Sequence, residues 1–135
     1  MTDKELILLA ISARELAYAP YSNHKVGAAL VAKSGKVYTG CNVENAAYSP
    51  TNCAERTAIF KAVSEGEREF TAIAIVGGVG DSLSELCAPC GVCRQVLSEF
   101  AGADLRIIMG TPEKITTSTL GELLPYSFTS DNLSR

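Results

Sequence analysis

Two short stretches, Cys53–Arg56 (CAER) and Pro89–Cys93 (PCGVC), decide how the rest of the sequence is interpreted. Each contains a cysteine where we predict the start of a helix. Cys90 and Cys93 are three residues apart, so both thiols lie on one face of a first helical turn. Cys53 completes a set of three thiolates if the two helix starts converge. Three protein ligands leave the fourth tetrahedral position open, which is typical of a catalytic zinc site.

Hydrophobic periodicity around these stretches predicts helices that alternate with strands. The first helix takes its apolar face from residues spaced between Leu6 and Ala17, including Leu16, and Pro20 ends it. Further helices are predicted over about Cys53–Ser64, from about Cys90 to a stop at Gly102, and over Leu120–Leu124. The inner face of the helix after Cys90 is predicted to include Val92.

Apolar runs rich in β-branched residues predict the strands, which are Val26–Ala32, Val37–Asn42, Thr71–Val76 and Leu105–Met109. Lys33–Lys36 supplies the turn that joins the first two strands into a β-hairpin. Gly77–Gly80 is predicted to be a flexible loop. Strands that alternate with helices indicate an α/β fold with a central mixed sheet. The sequence contains no repeat, linker or low-complexity segment, so we expect one domain over residues 1–135.

Composition and charge narrow the class of function. The chain has 135 residues, 47% of them hydrophobic, and a formal net charge of -3. A weakly acidic chain is poorly suited to a phosphate backbone, which favours a small-molecule substrate over nucleic acid. Residues 1–19 lack the apolar core of a signal peptide, and no stretch is long and apolar enough to span a bilayer. We therefore expect a cytoplasmic protein, in which five reduced cysteines indicate metal binding or catalysis.

Glu55 and Arg56, which follow Cys53 closely, have chemical roles in this interpretation. Three thiolates leave a zinc site with a net charge of about -1, which weakens the metal as an activator of water. Two helix N-termini and hydrogen bonds from Arg56 would draw negative charge away from it. Glu55 is the candidate proton carrier, which takes a proton from the attacking water and delivers protons to the substrate. The simpler alternative is that Glu55 only complements the helix dipole.

A Cys-x-Glu pattern followed by Pro-Cys-x-x-Cys is the zinc signature of nucleobase deaminases. Over nearly its full length the chain resembles the small homotetrameric zinc-dependent cytidine deaminases. The likeness is carried by Val26–Leu30, Cys41–Tyr48, Cys53–Arg56 and Pro89–Val96. The resemblance implies a three-layer αβα fold around a mixed five-stranded sheet. It also implies hydrolytic deamination of cytidine and deoxycytidine to uridine and deoxyuridine, with release of ammonia, in pyrimidine salvage.

The same resemblance assigns further site residues. It implies one zinc ion (Zn2+) per chain, held by Cys53, Cys90 and Cys93. Asn42 and Glu44 become ligands of the ribose hydroxyls, and Ala54 another substrate contact. From the residues alone, the alternative that Asn42 and Glu44 only satisfy backbone groups in their loop is equally open. Tyr48 and Phe128 match aromatic residues with which neighbouring subunits complete each site of the tetramer.

Three further residues, His24, Cys41 and Cys87, need an interpretation of their own. His24 stands where the family usually has a Phe near the nucleoside; we expect it to contact substrate and not to bind zinc. Cys41 is expected to be a small core residue. Cys87 lies three residues before Cys90, so an iron–sulfur cluster or a closed, purely structural four-thiolate zinc site is an alternative.

The substrate also has alternatives. Blasticidin-type deaminases and enzymes that act on polynucleotides share the zinc signature, so their substrates are alternatives to a plain nucleoside.

Overall fold

Five strands and four α-helices form the fold in a computed structural model, which describes residues 1–133. In chain order they are α1 (Asp3–Arg14), β1 (His24–Ala32), β2 (Val37–Cys41), α2 (Ala54–Ser64), β3 (Phe70–Val79), α3 (Gly91–Phe100), β4 (Arg106–Gly110), β5 (Ile115–Thr119) and α4 (Leu120–Leu123). A short 3-10 helix over Ser130–Leu133 follows. None of the helices within residues 1–133 is long and apolar enough to cross a membrane.

The strands form one mixed sheet in the order β2-β1-β3-β4-β5. β3 and β4 are parallel because α3 connects them as a crossover, and the other neighbouring pairs are antiparallel. Buried side chains of α1 pack on one face of the sheet, against alternate residues such as Ala72 and Ala74 of β3. Buried side chains of α2 and α3 pack on the other face, against Ile73 and Ile75. The predicted three-layer αβα fold with a mixed five-stranded sheet is confirmed.

The structure corrects four details of the residue-based predictions. Ile115–Thr119 is a strand, although its run of threonines has no apolar alternation. Gly77 and Gly78 are not in a loop; they continue β3 because both pair with β1. The first helix ends at Arg14, which leaves Leu16 outside it and 80% exposed. Val92 is 57% exposed and does not belong to the inner face of α3, which buries Cys93 and Leu97.

Arg14, at the end of α1, is a buried cation. Its Nε donates to the carbonyl of Lys25 at 2.8 Å. Its Nη2 lies 2.9, 2.7 and 2.7 Å from the carbonyl oxygens of Gly78, Gly80 and Ser82. None of the ion pairs within residues 1–133 involves Arg14. Backbone carbonyls from β1, β3 and the loop after β3 therefore compensate its charge.

Candidate active site and metal centre

Three thiols meet where α2 and α3 begin. The Sγ atoms of Cys53, Cys90 and Cys93 all lie within 4.8 Å of one another. Cys53 Sγ is 3.7 Å from Cys90 Sγ, which is 3.4 Å from Cys93 Sγ. Zn–S bonds of about 2.3 Å in a tetrahedron place neighbouring sulfurs about 3.8 Å apart. The three cysteines therefore fit a zinc ion, and neither His24 nor Cys87 belongs to this group.

The first turns of two helices place these cysteines. Cys53 is the N-cap of α2 and Cys90 the N-cap of α3, both with extended backbone. Cys90 Sγ accepts a hydrogen bond from the backbone N–H of Cys93 at 3.5 Å. Arg94 fixes the approach to α3, since its Nε donates to the carbonyl of Pro89 at 2.7 Å. The helix starts converge as predicted, so the positive ends of two helix dipoles point at the sulfurs.

Hydrogen bonding favours the ionised form of Cys53. Arg56 Nη2 donates to Cys53 Sγ at 3.2 Å, a contact that fits the role predicted for Arg56. Hydrogen bonds from Cys93 and then from Arg56 lower the pKa of Cys53. The hydrogen bond to the Cys53 sulfur, followed by burial, raises the pKa of Cys93. Because zinc binds thiolates, Cys53 is ready to bind the metal, whereas Cys93 would release its proton when the metal binds.

Glu55 is buried in the first turn of α2, with 3% of its surface exposed. Its Oε1 has no hydrogen-bond partner among residues 1–133. Burial raises the pKa of Glu55 to about 7. A carboxylate that only complemented a helix dipole would have the same favourable interaction with the dipole if it were exposed to solvent, and it would avoid the cost of desolvation. The simpler alternative for Glu55 therefore does not explain its burial.

A cavity of about 240 Å³ opens beside Glu55 and the thiols. It brings together His24, Asn42 and Glu44 with Cys53 and Cys90, residues that are far apart in the sequence. Five further residues that the sequence did not predict also line it, namely Ser22, Val26, Thr51, Asn52 and Ala88. Thr51 and Asn52 directly precede Cys53, and their position next to a predicted metal ligand could have indicated that they line the site.

Asn42 and Glu44 make defined backbone contacts. The Asn42 side chain donates from Nδ2 to the carbonyl of His24, and its Oδ1 accepts from the N–H of Val26, both at 2.8 Å. Glu44 Oε1 accepts from the N–H groups of Tyr21 at 2.9 Å and Ser22 at 3.1 Å. The Ser22 hydroxyl donates to Glu44 Oε2, and this bond is the main reason that the pKa of Glu44 is lowered. The Glu44 carboxylate is thus held ionised at the cavity wall.

Some predicted contacts lie apart from the cavity. Tyr48 is 78% exposed and lines a neighbouring depression, while Phe128 is 58% exposed. Ala54 is fully buried and does not line the cavity. Cys87 does line it, and burial raises the pKa of its thiol to about 11. Cys41 is only partly buried at the end of β2 and is not a core residue of the kind expected.

Known proteins resemble the chain in sequence and fold. A family model described as cytidine and deoxycytidylate deaminase zinc-binding region matches residues 1–111. A cytidine deaminase of Sporosarcina psychrophila is 47% identical over 99% of this chain and 96% of its own length. One from Halalkalibacterium halodurans is 48% identical over 99% of both chains. The crystal structure of a cytidine deaminase from Burkholderia pseudomallei superposes with a TM-score of 0.87 at 50% identity, covering 95% of this chain and all of the other. The chain therefore belongs to the cytidine and deoxycytidylate deaminase family.

Proposed function

We propose that the chain is a zinc-dependent hydrolase that converts cytidine and deoxycytidine to uridine and deoxyuridine with release of ammonia. The observation that carries the proposal is the buried Glu55 carboxyl, whose Oε1 has no hydrogen-bond partner among residues 1–133, at a cavity that the thiols of Cys53 and Cys90 also line. The identity to proteins named cytidine deaminase over their full length supports the choice of substrate. The proposal includes a place in pyrimidine salvage and a cytoplasmic location.

In the proposed mechanism, Cys53, Cys90 and Cys93 hold the metal and Glu55 moves protons. Zinc supplies Lewis-acid activation of water when it is bound. Glu55 takes one proton of the attacking water and transfers it to the ring nitrogen next to the amino-bearing carbon. The water oxygen bonds to that carbon. Glu55 then carries the second proton to the amino group, the C–N bond breaks, and ammonia leaves with a carbonyl in its place.

Substrate orientation is assigned to the polar side of the cavity. The Glu44 carboxylate is an acceptor for sugar hydroxyls, and the Asn42 amide keeps one N–H beyond its bond to His24. His24 lines the same cavity and would contact the nucleoside. These roles match those that the family resemblance implies for the three residues.

A homotetramer completes the proposal. Tyr48 and Phe128 are exposed aromatic residues that do not line the cavity of their own chain. In an assembly, such residues can reach the cavity of a neighbouring subunit. The Ala54 contact with substrate would require its backbone, since the side chain is buried.

The test begins with protein purified without added metal. We expect about one zinc per chain, and loss of ultraviolet absorbance with both cytidine and deoxycytidine. Glu55→Gln should keep its zinc and lose kcat by about 10²–10⁴-fold. Iron in place of zinc would refute the metal assignment and indicate Cys87 as a cluster ligand. If the protein binds zinc but turns over neither nucleoside, the assignment of the substrates is refuted, and blasticidin-type compounds become the next candidates.

A further inference from the structure

One wall of the cavity rests on a glycine in the sheet. The residues of β3 that face α2 and α3 are Ile73, Ile75 and then Gly77. The row of large side chains thus stops where it reaches the cavity. Gly77 is buried and pairs directly with Val26 of β1. Val26 and Cys87 both line the cavity.

Space, and not backbone conformation, requires glycine at this position. Gly77 is absent from the residues with positive φ. A Cβ on Gly77 would lie 2.6 Å from Cys87 Sγ and 3.1 Å from Val26 Cγ2. Carbon atoms in contact prefer about 3.5–4.0 Å, so the Cys87 thiol occupies the space that any other residue at position 77 would fill.

The cavity has little room to lose on this side. Its volume of about 240 Å³ is below the range of about 300–1,000 Å³ that is usual for small-molecule sites. A methyl group on Gly77 would push Cys87 Sγ out of its notch by about 1 Å. Pairing with Val26 of β1 holds the backbone of β3 at Gly77, whereas the pairing of β3 with β4 ends at Ile75.

We propose that Gly77 is a positioning residue for nucleoside binding, because it provides a notch that seats Cys87 and Val26 and so sets the width of the cavity beside Glu55. Gly77 acts through these two side chains and does not touch the substrate. This inference rests on the proposed function. It gives Cys87 a steric role in place of a metal-binding one.

Binding of uridine, the expected product, tests the proposal without turnover. Gly77→Ala should weaken uridine binding, measured by calorimetry, and raise KM for cytidine, each by about tenfold. The value of kcat should change less than about twofold and the zinc content should not change, since neither Glu55 nor a thiol ligand is displaced. A general loss of stability would not produce this separation of KM from kcat.

Rescue by a second substitution identifies the route of the effect. Gly77→Ala/Cys87→Ala removes the 2.6 Å contact and should restore most of the uridine affinity lost in Gly77→Ala. Gly121→Ala is the matched control, because its Cβ would lie 2.9 Å from Ala103 Cβ, away from the cavity. This control should bind uridine as the unmodified protein does.

Cys87→Met is an independent variant, since it lengthens the same wall while position 77 stays unchanged. It should weaken uridine binding like Gly77→Ala, whether or not Gly77→Ala folds. Unchanged binding in either variant, or a double variant as weak as Gly77→Ala, would overturn the inference. Failure of the proposed function appears instead in the unmodified protein, as a lack of cytidine turnover.

Discussion

Replacing the buried Arg14 by methionine tests how the fold holds the strand ends beside the cavity. Methionine has a similar length but donates no hydrogen bond. The guanidinium contacts four carbonyl oxygens, three of them through Nη2. One nitrogen carries two protons, so at most three strong bonds exist at once.

The expected loss of stability follows from those three bonds. Each hydrogen bond from a charged donor contributes about 1.5–3 kcal/mol, or about 5–9 kcal/mol together. Removing a buried cation recovers several kcal/mol of desolvation. We expect a net destabilisation of about 3 kcal/mol, well within the stability of about 5–15 kcal/mol that is usual for folded proteins.

Urea unfolding at a fixed protein concentration measures the effect. With a denaturant dependence of about 2 kcal/mol per M, Arg14→Met should lower the midpoint by about 1.5 M. Arg14→Lys keeps the charge but loses the fork of donors, and should show about half of this shift. A midpoint for Arg14→Met within about 0.3 M of the unmodified protein would refute the role assigned to these bonds.

Three further predictions concern residues at the site. Arg56→Ala should weaken zinc binding about 10–100-fold in a chelator competition, because Cys53 Sγ loses its donor; unaltered affinity and turnover would contradict this. Glu44→Gln should raise KM by about tenfold. Because the pKa of Glu44 is lowered from 4.5, its carboxylate contribution is present above that pH and disappears only as pH falls through the lower folded value. The KM ratio of variant to unmodified protein should therefore be constant from about pH 8 to 5; a change in the ratio near neutral pH would contradict the assignment. His24→Phe should keep its full zinc content and alter KM, whereas loss of zinc would show that His24 is a ligand.

Local spacing was enough to predict the thiol group. Cys90 and Cys93 lie at the first turn of α3, and Cys53 is at the start of α2. Each of these positions could be predicted from a few neighbouring residues. That the two turns converge depends on both helices packing on the same face of the sheet. The buried stripe of α2, with Ala58 and Ile59, already indicated this kind of packing.

Features that depend on pairing between distant segments were not readable in the same way. Ile115–Thr119 is an edge strand with mostly exposed or half-buried side chains, so its β-branched threonines were the only signal. Gly77 and Gly78 have the composition of a loop, but pairing with Val26 and Lys25 extends the strand. The notch at Gly77 was also invisible, since it exists only where β3, β1 and Cys87 meet.

The two helix caps at the metal centre have a consequence for how the chain holds together. Cys53 and Cys90 are 37 residues apart in sequence, and the segment between them includes α2 and β3. A metal ion bound to both acts as a reversible cross-link, and a covalent cross-link closing a loop of this length would restrict the unfolded chain by about 4 kcal/mol. The closed loop contains β3, whose side chains pack against α1 on one face of the sheet and against α2 and α3 on the other. Removing the metal with a chelator would therefore lower the stability of the whole fold, because the unfolded chain would lose this restraint.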